Sequence, residues 1–592
     1  MKFFCSLLIF LFSFSLWAQD DFVAKEYFDN GEFEKARIEY TKLHKQKPGN
    51  INYTLQLIKT LQQLEKYNDA ETLILDQISR INYPAFYVEL GYNFQLKNHI
   101  EEAQKNYTIA LEAIDLNPSH AYTIARFFEQ HSLLEQAITA YEKAKSLNPN
   151  LNFDLQLARI YGEQGDVEKM FNSYIDFVEI NDTQLNNIKR AVSEFISEDA
   201  TNENNLIFKR VLLKKIQEKP VLLYNQLLSW LFVQENDFKK AFAQEKAIFS
   251  RQPESLDRLF ELAHICYDAN NFTIAKEIYT FIANTSQDLD TLLNAHYNLL
   301  AIEVETALPS VYESIKLQYE NLFNTHGKTA ATLNIQIAYA HFLAFYLHQP
   351  EEASRFLKES LQLPLTPFKE ANVKMELGDI LVLQEYFNQA LIYYTQIQRN
   401  LKNSTLSQLA RFKVAKTSYY KGDFKWAESQ LNVLKSSTSQ LIANDALDLK
   451  LLISDNKYDD SLQVALKLYA KADLLAFQNK TDQAISILNK IIEEHKGETI
   501  EDQAYYKQAQ LFEQKKEYDK AISNYQYILA HYPEDILADD TYYALGELYA
   551  KKLHQPETAK TFYEKIIFNH ADSIYFVEAQ KQYRKLRGDA IN

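Results

Sequence analysis

Residues 117–150, NPSHAYTIARFFEQHSLLEQAITAYEKAKSLNPN, carry the pattern that decides the fold. Apolar residues recur at helical spacing in AYTIARFF, a short polar break follows at EQHS, and a second periodic segment, LEQAITAYEKAKSL, ends at Asn-Pro. Apolar residues spaced three and four apart lie on one face of a helix, and Asn-Pro is typical of a helix end. The stretch therefore predicts a helix–turn–helix unit.

The second helix of this unit contains a marker pair, an Ala followed four residues later by an aromatic or aliphatic residue; in one unit Met170 takes the place of the Ala. The pair recurs at steps of 33 or 34 residues in the first part of the chain and mostly 37 or 38 in the last part. The early pairs are Ala36/Tyr40, Ala70/Ile74, Ala103/Tyr107, Ala137/Tyr141 and Met170/Tyr174. The later pairs are Ala353/Leu357, Ala390/Tyr394, Ala427/Leu431, Ala484/Leu488, Ala521/Tyr525 and Ala559/Tyr563. A sustained period of this size indicates stacked repeats.

Another small residue precedes many of the markers by twelve positions, in the first helix of the unit. These residues are Ala24, Ala125, Ala158, Ser229, Ala263, Gly378, Ala415, Ala472 and Ala509. Closing prolines follow a second-helix Ala by twelve positions in four units. They are Pro48 after Ala36, Pro149 after Ala137, Pro253 after Ala241 and Pro533 after Ala521. We expect the two helices of a unit to cross where both carry a small residue, with the aromatic side chain filling the gap.

The small-residue column, the aromatic residue at the fourth position, the closing proline and the 34-residue period resemble the tetratricopeptide repeat (TPR) family. The resemblance implies an all-α fold, a right-handed α-solenoid of tandem helix-turn-helix TPR units. The longer units resemble those of secreted bacterial cell-envelope TPR proteins, such as the barrel-assembly lipoprotein of the outer membrane.

Interruptions of the period divide the chain into predicted segments. Residues 19–180 form an N-terminal TPR array of about five units, and 181–290 contain degenerate and regular units. Residues 291–369 are a TPR-like linker region with long helices, and 370–592 are a C-terminal array of longer units with a capping helix. The 57-residue step from Ala427 to Ala484 predicts one inserted helix.

Residues 1–18, MKFFCSLLIFLFSFSLWA, predict a signal peptide. A lysine precedes an apolar run that is short for a membrane span, and Ala18 precedes the predicted cut. An uncleaved N-terminal anchor is the alternative. We therefore expect export to the periplasm, with outer-membrane association left open, and no membrane insertion of the mature chain.

The amino-acid composition limits the fold classes and functions that the chain can have. With 46% apolar residues, only 11 Gly and 12 Pro, the chain favours helices over β-structure. The net charge of −16 disfavours nucleic-acid binding, which needs clustered Lys and Arg. Of the two cysteines, Cys5 lies in the leader, and Cys266 lies in an apolar pattern that predicts a buried side chain.

No known catalytic or cofactor motif stands out. Glycine-rich phosphate loops, the H-E-x-x-H zinc motif and the G-x-S-x-G elbow are all missing, and the 13 His lack metal-ligand spacing. We therefore expect no cofactor, no metal and no enzymatic activity. An enzyme with an unrecognised site is the remaining alternative.

The TPR resemblance also implies a binding face, because the first helices of TPR units line a concave groove. The residue after each position of the small-residue column would point into it. These residues are Lys25, Lys59, Tyr92, Arg126, Arg159 and Trp230, and further along His264, Asp379, Lys416, Asp473 and Gln510. We refer to these positions as the groove column. Its basic start favours an acidic segment or a C-terminal carboxylate as the partner. The alternative is that each base pairs with an acidic residue of its own chain.

These observations predict a non-catalytic protein–protein interaction scaffold of the bacterial cell envelope, which binds partner polypeptide segments in its concave groove. A periplasmic chaperone-like protein for unfolded clients is the main alternative.

Overall fold

The computed structural model describes residues 19–434, 439–456 and 463–589, which contain 32 α-helices and no β-strand. The predicted signal peptide lies outside the described residues. None of the described helices is long and apolar enough to cross a membrane.

The helices fall into two compact units, residues 19–252 and 253–589. This boundary lies inside the predicted 181–290 segment, and the finer four-part division stays a prediction. The first unit has helices at Gln19–Asp29, Phe33–Gln46, Ile51–Gln63, Tyr67–Arg80, Ala85–Leu96, Ile100–Leu116, Ala121–Gln130, Leu134–Leu147, Asp154–Gln164, Val167–Ile180, Leu185–Ser193, Glu203–Glu218, Leu222–Gln234 and Phe238–Arg251.

The second unit has the remaining helices. They are Asp257–Asp268, Phe272–Thr285, Leu289–Thr306, Tyr312–His326, Leu333–Phe345, Pro350–Ser360, Pro367–Leu383, Phe387–Asn400, Thr405–Tyr420, Phe424–Leu434, Gln440–Asn456, Val464–Phe477, Thr481–Glu494, Glu501–Gln514, Tyr518–His531, Ala538–Glu547, Pro556–Asn569 and Phe576–Arg587.

Helices pack both within a hairpin and between successive hairpins. Ala85–Leu96 packs against Ile100–Leu116 of its own hairpin and also against Ala121–Gln130, the first helix of the next one. Ile100–Leu116 likewise packs against Leu134–Leu147. Each hairpin therefore buries its apolar faces against its neighbours, as repeat arrays do. The prediction of an all-α solenoid of helix–turn–helix units is confirmed within each unit.

The predicted contact between small and aromatic residues organises the hairpins. Every marker residue at the start of a pair is at most 2% exposed, and Tyr141, Tyr394 and Tyr563 are fully buried. A Cβ atom added to Gly378 would lie 2.4 Å from Cε1 of Tyr394. The same addition at Gly91 would lie 2.4 Å from Cε1 of Tyr107. The tyrosine ring therefore lies directly over the backbone of the small residue.

The buried tyrosine hydroxyls reach acceptors on the first helix of the same hairpin. Tyr141 donates to Glu129 at 2.8 Å, and Tyr394 donates to Asp379 at 2.6 Å. Other units repeat the contact, with Tyr107 to Gln95, Tyr525 to Glu513 and Tyr563 to Glu547 at 2.5–2.8 Å. Because a buried hydroxyl without a partner is costly, these acceptors complete the packing.

The last unit departs from the twelve-residue spacing. Twelve positions before Ala559 stands Glu547, and the small residue under Tyr563 is Gly546, thirteen positions before the marker. A π-helical turn at Leu548–Lys552 accounts for the difference, because it adds one residue to the helix.

The predicted irregular segments are helical. The degenerate pair in the first unit is a nine-residue helix, Leu185–Ser193, followed by Glu203–Glu218. The helix predicted as an insertion is Gln440–Asn456. It packs against Phe424–Leu434, whereas Thr405–Tyr420 still contacts Val464–Phe477 directly. The extra helix therefore leaves the stacking of first helices continuous.

Cys266 is fully buried, as its apolar surroundings predict. Burial raises the pKa of its thiol to about 12, so the thiolate that would react as a nucleophile is not populated near neutral pH.

Replacing Gly378 with Val should destabilise the second unit. The added side chain would force the ring of Tyr394 and the helix backbone apart, and overpacking of this kind costs ~1–3 kcal/mol. Chemical denaturation would measure the loss. Gly49→Val is the matched control, because no atom lies within 4 Å of the Cβ position at Gly49. Equal stability of the two variants would contradict the proposed contact.

Candidate functional site

Four basic residues of the groove column are exposed in the first unit. They are Lys25, Lys59, Arg126 and Arg159, and none of them forms an ion pair with any residue that the structure describes. The alternative stated above required each of these bases to pair with an acidic residue of its own chain. No such pair is found for these four residues in the described part of the chain. Lys416 in the second unit differs, because its ammonium group lies 2.5 Å from Asp473.

Arg126 and Arg159 line one cavity of about 530 Å³, which we call the arginine cavity. They project from Ala121–Gln130 and Asp154–Gln164, the first helices of successive hairpins. The other lining residues are Tyr122, Glu129, Gln130, Tyr141 and Glu163. Glu129 accepts the hydroxyl hydrogen bond of Tyr141, and Arg126 lies 5.8 Å from the ring centre of Tyr122.

The other column residues of the first unit do not line the arginine cavity. Tyr92 is half-buried and stacks on the imidazole of His131, with ring centres 3.7 Å apart. Trp230 is half-buried and contacts the ring of Phe208 edge to face. In the structure both aromatic residues serve packing, and a role in binding stays a prediction for all six residues.

Three of the five groove-column residues of the second unit line a larger cavity. Lys416, Asp473 and Gln510 border a space of about 840 Å³, which we call the aspartate cavity. Its acidic lining residues are Asp445, Asp448, Asp455, Asp473, Asp502, Asp535 and Asp540, and its basic lining residues are Lys416 and Lys507.

Asp473 holds both lysines of the aspartate cavity. Its carboxylate lies 2.5 Å from the Lys416 ammonium group and 2.8 Å from that of Lys507. Burial alone would favour the neutral acid, but the two lysines outweigh it and hold the pKa of Asp473 well below its usual value. The three residues form a partly buried ionic cluster.

Asp502 and Asp540 behave in the opposite way. Burial raises the pKa of Asp502 to about 7 and the pKa of Asp540 to about 6. Sequence reasoning missed both residues, because their burial depends on how separate hairpins come together. A weaker signal was available in Asp445, Asp448 and Asp455, whose spacing of three and seven residues places them on one face of the inserted helix.

A third cavity, of about 640 Å³, lies in the second unit and has both aromatic and aliphatic lining residues. Tyr267, Tyr319 and Phe342 line it, and His341 at its edge lies 2.9 Å from Glu376. Across the described ranges, no three His, Cys, Asp or Glu side chains are placed to hold a metal ion.

Residues 469–536 match the tetratricopeptide repeat family. The match begins within Val464–Phe477 and ends just after Tyr518–His531, so it includes much of the lining of the aspartate cavity. This part of the chain is therefore similar to tetratricopeptide repeats. No curated protein matches the chain.

Two solved structures align with nearly the whole chain. One is described as the structure of Naa15/Naa10 bound to HypK-THB, with 13% identity, 96% of each chain covered and a TM-score of 0.28. The other is the crystal structure of the APC/C hetero-tetramer Cut9-Hcn1, with 14% identity, 95% of each chain covered and a TM-score of 0.24. These scores are low, so the fold assignment depends on the helix packing described above.

Replacing Asp473 with Asn should lower the free energy of unfolding by ~1–3 kcal/mol at pH 7, because two lysines lose their partner. A carboxyl whose folded pKa is depressed stabilises the fold above its unfolded pKa of ~4, and this stabilisation is lost as the pH falls further. The difference between wild type and variant should therefore shrink below about pH 4 in denaturation experiments.

Asp482→Asn is the matched control for Asp473→Asn. Asp482 also pairs with a lysine, at 2.8 Å, but its side chain is 84% exposed. We expect a change within ~0.5 kcal/mol, as for other exposed ion pairs. If both variants lost the same free energy of unfolding, burial would not explain the contribution of the Asp473 cluster to stability.

Proposed function

We propose that this protein is a non-catalytic scaffold of the bacterial cell envelope that holds partner polypeptide segments on the face formed by its first helices. Stacked helix hairpins and the TPR match support a role in protein–protein interaction. The net charge of −16 favours protein over nucleic acid as the partner.

The arginine cavity is the observation that carries this proposal. Arg126 and Arg159 lie one hairpin apart, are exposed, border the same cavity and form no ion pair with a described residue. A guanidinium group binds a carboxylate through two parallel hydrogen bonds. Two such groups suit an acidic segment or a C-terminal carboxylate that extends from one hairpin to the next.

Glu129 and Glu163 also line this cavity, so its formal charge is balanced. Glu129 accepts a hydrogen bond from the Tyr141 hydroxyl, which directs one of its oxygens toward the hairpin interior. Balanced charge favours a ligand with carboxylates at defined positions over any acidic polymer.

Reversing the charge of both arginines should greatly weaken the binding of an acidic peptide. We expect Arg126→Glu with Arg159→Glu to weaken binding of a peptide rich in Asp and Glu by about 100-fold or more, since each charged hydrogen bond contributes ~1.5–3 kcal/mol. Fluorescence anisotropy with a labelled peptide would measure this loss.

Arg190→Glu with Arg210→Glu is the matched control. Both residues are exposed, belong to the same unit and line neither the arginine cavity nor the aspartate cavity. This variant should bind as the wild type does. Equal binding by both variants would refute the arginine cavity as the site. Tight binding of unfolded proteins of any charge would favour the chaperone-like alternative.

Export is the second part of the proposal and depends on residues 1–18. Expression in a bacterium should yield a periplasmic protein whose mature N-terminus is Gln19, as determined by mass spectrometry after cell fractionation. A protein that keeps Met1 and sediments with membranes would indicate an uncleaved anchor. A protein that stays in the cytoplasm would contradict export.

A further inference from the structure

We propose that the aspartate cavity is a second binding site and that it takes a polypeptide segment rich in Lys or Arg. The cavity belongs to the second unit and shares no residue with the arginine cavity. The inference therefore does not depend on binding at the arginines.

Charge in the aspartate cavity is unbalanced. Seven aspartates and two lysines line it, and Asp473 engages both lysines. The other six carboxylates form no ion pair with any residue in the described part of the chain. They converge from Gln440–Asn456, from the start of Glu501–Gln514 and from the segment 535–540, so one ligand could reach several of them.

Asp502 is the most informative member of this group. It is only 4% exposed, yet it borders the cavity. The backbone amide of Gln503 donates to it, at 2.6 Å, and no side chain among the described residues does. A buried carboxylate normally has a cation or several donors. A cationic side chain of a ligand would supply the missing partner.

Apolar groups at the cavity favour Lys or Arg over a metal ion. Ile536 and Ile574 line the cavity and are 57% and 81% exposed. The side chains of Lys and Arg combine an aliphatic stem with a terminal charge, so the stem can cover these isoleucines while the cation reaches an aspartate. A divalent metal ion would use neither the isoleucines nor the volume of about 840 Å³.

Binding of such a ligand should release protons. Asp502 faces Glu501 on its own helix, Asp535 and Tyr532 from the segment after Tyr518–His531, and Tyr469 on a neighbouring first helix. Asp540 faces Asp539, Asp448, Tyr506 and Tyr575, and the hydroxyl of Tyr575 donates to it at 2.9 Å. These neighbours supply no cation, so a bound ammonium group would lower the pKa of both acids. Affinity should consequently rise with pH between about 5.5 and 8.

Isothermal titration of the full chain with an alternating Lys-Ser decapeptide tests the proposal. We expect Asp502→Asn with Asp540→Asn to weaken binding about 10-fold or more and to remove most of the pH dependence. Asn has the shape of Asp without its charge, so the fold should persist, which a thermal melt would check. Asp519→Asn with Asp572→Asn is the matched control, since both aspartates are exposed and lie outside the cavity.

Several outcomes would overturn the inference. One is that the wild type does not bind the Lys-Ser peptide, and another is that the cavity variant binds it as tightly as the control variant does. The inference would also fail if the wild type bound a Glu-Ser decapeptide equally well, or if low concentrations of Mg²⁺ or Ca²⁺ displaced the Lys-Ser peptide. The Arg126→Glu/Arg159→Glu variant should still bind the Lys-Ser peptide. This variant tests the two proposals separately. If it binds the Lys-Ser peptide as the wild type does, the aspartate cavity acts without the arginines, whatever the acidic-peptide experiment shows.

Discussion

The contact between a tyrosine ring and a small residue on the neighbouring helix is what the rest of this structure depends on. The ring of Tyr394 lies so close to Gly378 that an added Cβ would be 2.4 Å from it. The hydroxyl of Tyr394 donates a hydrogen bond of 2.6 Å to Asp379. One side chain thus fixes both the distance between two helices and their orientation. Because the contact recurs along each unit, with Ile or Leu in place of the tyrosine in some hairpins, the array can extend without a single large core.

The same contact determines which residues line the cavities between hairpins. In the first unit the positions after Ala125 and Ala158 are Arg126 and Arg159, and in the second unit the position after Ala472 is Asp473. The scaffold constrains the small residue more strictly than the next one, which is an arginine in these two hairpins of the first unit and the hydroxyl acceptor Asp379 after Gly378. The two units can therefore present cavities of different charge while they use the same helix packing.

Much of the fold could be predicted from the sequence because the marker pairs depend on local spacing. Ala137 and Tyr141 are an example, since both are buried where the period places them. Gly546 was missed because one extra residue in a π-helical turn shifts the register, and such a turn has no clear sequence signal. The candidate site was harder to predict. Asp473 belongs to the predicted groove column, but Asp502 and Asp540 stand in no such pattern. Only the assembled hairpins show which partners each of the three carboxylates has.

The aspartates of the second unit have opposite effects on its stability as the pH changes. Asp473 has a depressed pKa, so it stabilises the folded unit above about pH 4. Burial raises the pKa of Asp502 to about 7 in the folded chain, whereas it is ~4 in the unfolded chain. Between these two pH values the unfolded chain loses this proton more readily than the folded one, so the free energy of unfolding falls as the pH rises. Helix stacking elsewhere in the unit has to offset this loss at neutral pH. A cation that binds only the folded state would restore the lost stability, because the charged form of Asp502 would then have a partner.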